Sequence, residues 1–241
     1  LHSAGIKVIL VSSGAVAAGR SMVAGNVKRD PVSERQLLSS VGQVKLLTTY
    51  STIFDSHGIT CAQVLVAKQD FRTREHYLNM KNCLSVLLDS NIVPIINEND
   101  AVSVTALMFT DNDELAGLVA TMMNTEALFI LSNVDGVYSG NPKDPSSVLI
   151  SRIEGNSTDL SQFVTTQKSN FGRGGMVTKG RIARNTAEAG IAVAIANGTR
   201  DNIILDLVCS PDKVPHTLFV PGTPRPAVKQ WMAYSTGFAS S

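Results

Sequence analysis

Several common chemical devices are missing or scarce in this sequence. Of its 241 residues three are cysteine, four histidine and one tryptophan. Cys61, Cys83 and Cys209 are odd in number, widely spaced and set among apolar neighbours. That excludes a disulfide framework or a metal knuckle and suits a reducing, cytoplasmic compartment. His2, His57, His76 and His216 form no pair at helical spacing, so no histidine metal site is expected. Neither sign of charge is in excess, since 21 Lys and Arg meet 20 Asp and Glu for a net charge of +1. Such a balance supplies no basic field for nucleic acid and leaves any charge-based function local. No apolar run approaches the ~20 residues needed to cross a bilayer. Lys7, the apolar residues 8–11 and the small residues 14–18 imitate a secretion signal, but the run is only strand length and passes straight into a glycine turn. The expected partner is therefore a small molecule, with no nucleic acid and no membrane.

What is present is ample apolar material, 44% of the chain, enough to bury a sizeable core. Residues 6–11, 62–66, 92–96, 127–131 and 191–196 are continuous aliphatic runs without alternation, as expected of strands covered on both faces. Between them lie helical patterns. Leu37, Leu38, Val41, Val44 and Leu47 form a stripe that continues through Tyr50, Ile53 and Phe54 and stops at Gly58. Further helices are predicted over 74–89, 112–123 and 176–189. This alternation predicts an α/β fold, a three-layer αβα sandwich on a mostly parallel central sheet, with ligands gathered outside the carboxyl ends of the strands. Residues 1–5 read as the end of a helix with a glycine stop, so an earlier helix and strand are expected ahead of Leu1. Proline-rich residues 221–226 and the small polar residues after Trp231 predict one domain over 1–226 and a tail or linker over 227–241.

Five short segments carry polar chemistry, each with a bland account beside it. Ser12-Ser13-Gly14-Ala15 leaves a buried run and opens a small-residue helix, which suits an anion or simply a serine cap. Asn97-Glu98-Asn99-Asp100 follows the run 92–96 and suits an ammonium or hydroxyl group, or only a polar loop exit. Asp111-Asn112-Asp113-Glu114 has the spacing of a capping box, and acids favour a helix start by ~0.3–1 kcal/mol. Read functionally, Asp113 would orient a lysine or hold Mg²⁺ near phosphates, and Asn112 would contact an acceptor. Gly172-Arg173-Gly174-Gly175 matches neither common nucleotide motif, yet its glycines let backbone N–H groups approach phosphate at the helix start near Met176. Lys179 in that first turn opposes the helix dipole unless an anion lies between. Ser132-Asn133-Val134-Asp135-Gly136-Val137-Tyr138 suits a nucleoside, or a D-G turn closing a short hairpin.

Taken in order, these residues resemble the amino-acid kinase family, in its glutamate-phosphorylating branch, from Gly5 to about Gly222. The likeness is carried by Ser12 through Arg20, by Gln36-Leu37-Leu38 with Val41-Gly42-Gln43, by Ile95 through Val102, by Asp111-Asn112-Asp113 and by Gly174 through Lys179. It implies transfer of the γ-phosphoryl group of ATP to the side-chain carboxylate of L-glutamate, the first step of proline biosynthesis, with Mg²⁺ as counter-ion. It also implies feedback inhibition by proline and a homo-oligomer. On that basis Ser13, Gly14, Asn97, Asp100 and Asn112 look like substrate-binding positions. Asp113 looks like the organising carboxylate and Lys179 like the lysine that stabilises the moving phosphoryl group. Ser132, Asn133, Tyr138, Arg173, Gly174, Gly175, Met176, Val177, Thr178 and Lys179 look like the ATP site. In the family a first strand, with a lysine and a glycine turn that touch the phosphates, would lie before Leu1. Asn133 stands where the family usually has aspartate. Many bacterial members continue into a small RNA-modification-type domain, and animal and plant relatives into a reductase. The rival readings are another member of the family, acting on acetylglutamate, aspartate or UMP, and a non-catalytic domain that senses an amino acid.

Overall fold

The apolar runs become strands and the periodic segments become helices in the computed structural model, which describes residues 1–23, 30–102, 111–154 and 175–223. Among those residues the strands are β1 (Leu10–Val11), β2 (Cys61–Val66), β3 (Val93–Glu98), β4 (Ala127–Ser132), β5 (Arg152–Glu154), β6 (Ala192–Asn197) and β7 (His216–Val220). The helices are α1 (Ala15–Arg20), α2 (Pro31–Asp55), α3 (Arg74–Asp89), α4 (Asn112–Met123), α5 (Met176–Glu188) and α6 (Ile203–Cys209). The chain divides into two compact units, and the division falls between Asn112 and Asp113.

In the first unit the sheet is wholly parallel, in the order β1-β3-β2. β3 is central, and all six of its residues are buried, which is why its sequence is a continuous apolar run up to Asn97. The run 6–11 behaves differently from expectation. Only Leu10 and Val11 pair, on one side, with Ile95 and Ile96, so β1 is an edge of the described sheet and Ile6 stays 40% exposed. α2 begins where its chemistry allows. The Asp30 carboxylate accepts from the backbone N–H of Val32 (3.1 Å) and Ser33 (3.0 Å), and Pro31 at the first position has no N–H to leave unpaired. Gly58 follows the helix end in a left-handed conformation, φ 67°. α1 and α2 touch backbone to backbone through two glycines. A Cβ on Gly42 would collide with the carbonyl of Ala15, and one on Gly19 with the carbonyl of Leu38. α3, capped by Thr73, buries Met80 and Leu84.

In the second unit the order is β4-β6-β7-β5, parallel except for the antiparallel pair β6/β7. Alternation along β6 divides the core in two. Val193 and Ile195 pack with Ile182, Ala183 and Ala187 of α5, with Ile130, Ile153 and Phe219 in the same cluster. Ala194 and Ala196 pack with Ile203 and Leu207 of α6. Helices therefore cover both faces, and each unit is built on parallel-dominated strands, in keeping with the α/β expectation. The elements that the periodicity misses are the short ones. β5 holds one buried residue, Ile153, between Arg152 and Glu154. α6 has only seven residues, too few to show a repeat, and β7 alternates buried and half-buried residues over five positions.

Candidate active site

At the carboxyl ends of β1 and β3 the first unit gathers a relay of amides. Ser12 N donates to the Ile96 carbonyl (2.8 Å), extending the β1/β3 ladder by one bond and placing its own carbonyl beside the end of β3. The Asn112 side chain donates from Nδ2 to that Ser12 carbonyl (2.6 Å) and to Oδ1 of Asn97 (2.9 Å). Asn97 in turn donates from its own Nδ2 to Oε1 of Gln43 on α2 (3.0 Å), and its Oδ1 also accepts from Glu98 N (2.9 Å). Asn97 is 2% exposed, and a buried amide of that kind is stable only when both of its ends are matched. Of the two serines after β1, Ser12 is buried and shares a hydrogen bond with the Tyr50 hydroxyl (2.8 Å), while Ser13 is exposed. Gly14 is the N-cap of α1 with φ 97°, a conformation that glycine adopts freely.

Asp100 is buried and ion-paired, beyond what its place in a polar loop suggests. Arg35 of α2 donates to it from Nε (2.8 Å) and from Nη2, and Nη2 also reaches Glu98 Oε2 at 3.3 Å. Glu98, Asn99 and Asp100 line a cavity of about 310 Å³ with Ser39, Gln43 and Gln63. Asn97, Asp100 and Asn112 therefore belong to one polar corner, together with Gln43 and Arg35, neither of which sequence reasoning singled out as a site residue.

The second unit supplies a charge pair. Asp113 in the first turn of α4 and Lys179 in the first turn of α5 meet at 2.6 Å, Nζ to Oδ2, with 18% of each side chain exposed. The anion that a lysine at a helix start requires is thus Asp113. Gly175 caps α5 in an extended conformation, with open space where a Cβ would be. Met176 packs at the edge of the core and Val177 is exposed, so the first turn of α5 is anchored on one side only. Thr178 N donates to the Gly175 carbonyl (3.0 Å), closing that turn. Arg173 and Gly174 lie outside the described residues.

The turn after β4 is fastened to the turn after β6. Gly198 N donates to the Ser132 carbonyl (2.8 Å). Arg200 grips Asp135 with a parallel fork, Nε to Oδ1 and Nη2 to Oδ2, both 2.9 Å. The guanidinium holds the Asp135 carboxyl below its ordinary range, and Asn197 assists. Gly136 is needed for close approach, because a Cβ there would strike Thr217. Thr217 Oγ1 accepts from Val137 N (2.8 Å) and donates to the Ile150 carbonyl (2.7 Å). Tyr138 bridges Leu149 across an antiparallel pair, so the excursion is a hairpin opening at Val137 and closing at Ile150. Asn133 is exposed and Ser132 half-buried. Among the described residues no helix is long and apolar enough to cross a membrane.

Two parallel-dominated α/β units, one ending in an amide-lined corner and one in a lysine–carboxylate pair at two helix starts, fit the sequence model of the Amino acid kinase family, which matches residues 1–197. The chain belongs to that family. Within it, a glutamate 5-kinase of Bacteroides thetaiotaomicron is 54% identical over 240 residues, covering 99% of this chain and 66% of its own length. A glutamate 5-kinase of Chlorobaculum tepidum is 48% identical over 237 residues, covering 97% of this chain and 63% of its own length. The chain spans just under two thirds of the length of these curated relatives. Among solved structures, carbamate kinase from Giardia lamblia bound to AMP-PNP is similar with a TM-score of 0.61 at 19% identity, over 91% of this chain and 85% of that one. At such identity the likeness concerns the fold.

Proposed function

We propose that this chain is the kinase portion of a glutamate 5-kinase, with residues 1–226 as the functional domain and the cytoplasm as its compartment. The observation that carries the reading is the Lys179–Asp113 pair, a half-buried cation held at a helix start by one carboxylate. The names of the relatives support glutamate as the acceptor.

In the reaction a side-chain carboxylate oxygen of L-glutamate forms a bond to the γ-phosphorus of ATP. The bond from that phosphorus to the β–γ bridging oxygen breaks, and ADP leaves with the electron pair. The nucleophile is already an anion, so no base is needed and catalysis is positioning plus charge neutralisation. Lys179 neutralises charge on the phosphoryl group in flight. Asp113 keeps the ammonium in place, so that little reorganisation is left for the moment of transfer. Asn112, Asn97, Ser13 and Gly14 orient the acceptor, and Asp100 takes its α-ammonium. The turn from Ser132 to Tyr138, with Asn133, and the segment from Arg173 through Lys179 receive the nucleotide. Mg²⁺ enters as the nucleotide's counter-ion, as phosphoryl transfer from ATP requires. Proline as feedback inhibitor and a homo-oligomeric state belong to the same proposal.

The test is a coupled ADP-release assay on the full-length protein, comparing L-glutamate with aspartate, N-acetylglutamate and UMP. Glutamate-dependent turnover is expected. Its absence overturns the proposal, in favour of another family member if aspartate, N-acetylglutamate or UMP supports turnover, and in favour of a sensor if calorimetry shows that glutamate or proline binds and Mg-ATP does not.

A further inference from the structure

The amide relay has a direction, and that direction leaves a donor at the cavity beside it. Asn97 Oδ1 accepts from the backbone N–H of Glu98 (2.9 Å), and since a backbone N–H can only donate, that end of the Asn97 amide has to be its oxygen. The nitrogen end is thereby turned toward Gln43, 3.0 Å away. At the other end of the relay Asn112 meets the Ser12 carbonyl (2.6 Å), which can only accept, so its nitrogen also points inward and donates to the same Asn97 oxygen (2.9 Å). Two obligate backbone groups set one polarity from both sides. Gln43 therefore answers Asn97 with Oε1, and its Nε2 keeps two N–H groups with no partner among the described residues. Gln43 lines the cavity of about 310 Å³ together with Asp100, Ser39, Ser40 and Thr48. The three hydroxyls have already spent their protons, because Ser39 and Ser40 donate to the Gln36 carbonyl (3.1 and 2.7 Å) and Thr48 to the Val44 carbonyl (2.9 Å). Gln63 of β2 also lines the cavity, but it is exposed and nothing among the described residues fixes which end of its amide faces inward. Gln43 is thus a donor with a fixed aim.

We propose that Gln43 selects the acceptor's α-carboxylate. Its Nε2 donates to that group while Asp100 takes the ammonium on the same carbon, which leaves the side-chain carboxylate for the phosphoryl group. This inference rests on the glutamate kinase reading and adds to it a source of selectivity at the end of the acceptor that does not react. An acceptor with the same ammonium and side-chain carboxylate but a neutral α-amide offers Gln43 an uncharged oxygen in place of an anion, and binds less tightly.

The experiment uses the full-length protein and its Gln43→Glu and Gln43→Met variants, with KM and kcat measured for L-glutamate, for the α-amide of L-glutamate and for ATP. Gln43→Glu keeps an oxygen to accept from Asn97, so the relay stands, but it replaces the donor with an anion. Its glutamate KM should rise about tenfold or more, the cost of losing one hydrogen bond to a charged group, while the α-amide KM falls because that amide can donate to the new carboxylate. The wild-type preference for glutamate should therefore be lost or reversed, with ATP KM within about threefold. Gln43→Met, which removes donor and acceptor together, should narrow the preference without reversing it, and it carries the test if Gln43→Glu does not fold. A residue that only braced the relay would shift both acceptors alike. Equal effects on glutamate and the α-amide, no effect on either, or a wild type that takes the two equally well, overturn the inference while leaving the function intact. If the wild-type protein releases no ADP with glutamate, the functional reading fails. Calorimetric titration of the two acceptors into wild type and Gln43→Glu then decides the role of Gln43 by itself: lost or reversed discrimination supports it, and unchanged discrimination or absent binding overturns it.

Discussion

In the first unit the polar corner at the ends of β1 and β3 is linked mainly by neutral amides, Gln43 to Asn97 to Asn112 to the Ser12 carbonyl. In the second, two full charges, Lys179 and Asp113, meet at the starts of two helices. The amide relay depends on geometry, since each member is useful only when the next is within reach. The ion pair depends on charge, and removing one member leaves the other partly desolvated and uncompensated. The two regions should therefore fail in different ways. Loss of an amide should be read in acceptor affinity and stability, and loss of the charge in the rate of the chemical step.

Breaking the charge should have the largest effect. Lys179→Met should lower kcat by about 10²–10³-fold, the usual cost of losing one preorganised charge-stabilising donor, with glutamate KM within about threefold. Coupled ADP release measures both. A dominant rise in KM would contradict the division drawn here. Next comes the scaffold beneath the amide relay. Gly42→Ala would push a methyl group against the Ala15 carbonyl, and because backbone cannot yield as a side chain can, about 3 kcal/mol of stability should be lost in urea denaturation. Asn97→Ala should cost about 1–3 kcal/mol by stranding Gln43 and Asn112. It should raise glutamate KM with ATP KM unchanged, the reverse of the Lys179 signature.

The smallest effect concerns Asp135. Its carboxyl is held below the ordinary 3.8 chiefly by hydrogen bonding to Arg200. A depressed folded-state value means that the stabilisation is fully present above the unfolded value and is lost as pH falls through the folded one. The Tm difference between wild type and Asp135→Asn should therefore be constant from neutral pH down to about 5, and narrow progressively as pH falls past the ordinary 3.8 and through the lower folded value. A difference that persists unchanged into stronger acid would show that the charge is not its source.

Much of the scaffold was legible in the sequence because it is locally encoded. α3 and α4 fall where the periodicity places them, α3 behind the Thr73 cap, and β4 and β6 follow their apolar runs to within a residue or two. The polar corner was legible only in part. Asn97, Asp100, Asn112, Asp113 and Lys179 announce themselves as polar groups at strand ends and helix starts. Their partners do not. Arg35 lies 65 positions from Asp100 and Gln43 lies 54 from Asn97, and both look like ordinary polar residues of a long helix. Nothing in a one-dimensional pattern says which of its polar residues turns inward. Of the run 6–11 only Leu10 and Val11 join the ladder with β3, since apolar continuity reports covered faces and not how many residues pair.

Asn112 and Asp113 occupy consecutive positions at the start of α4, one answering to the amide relay and the other to Lys179. Neighbours on an α-helix project about 100° apart, so the two side chains can answer to different partners without crowding each other. The arrangement is sensitive to phase. Inserting a single residue just before Asp111 would bring Asp111 to the place of Asn112 and Asn112 to the place of Asp113, a carboxylate where an amide is wanted and an amide where a carboxylate is wanted, damaging both networks in one step while leaving composition and helix length almost unchanged.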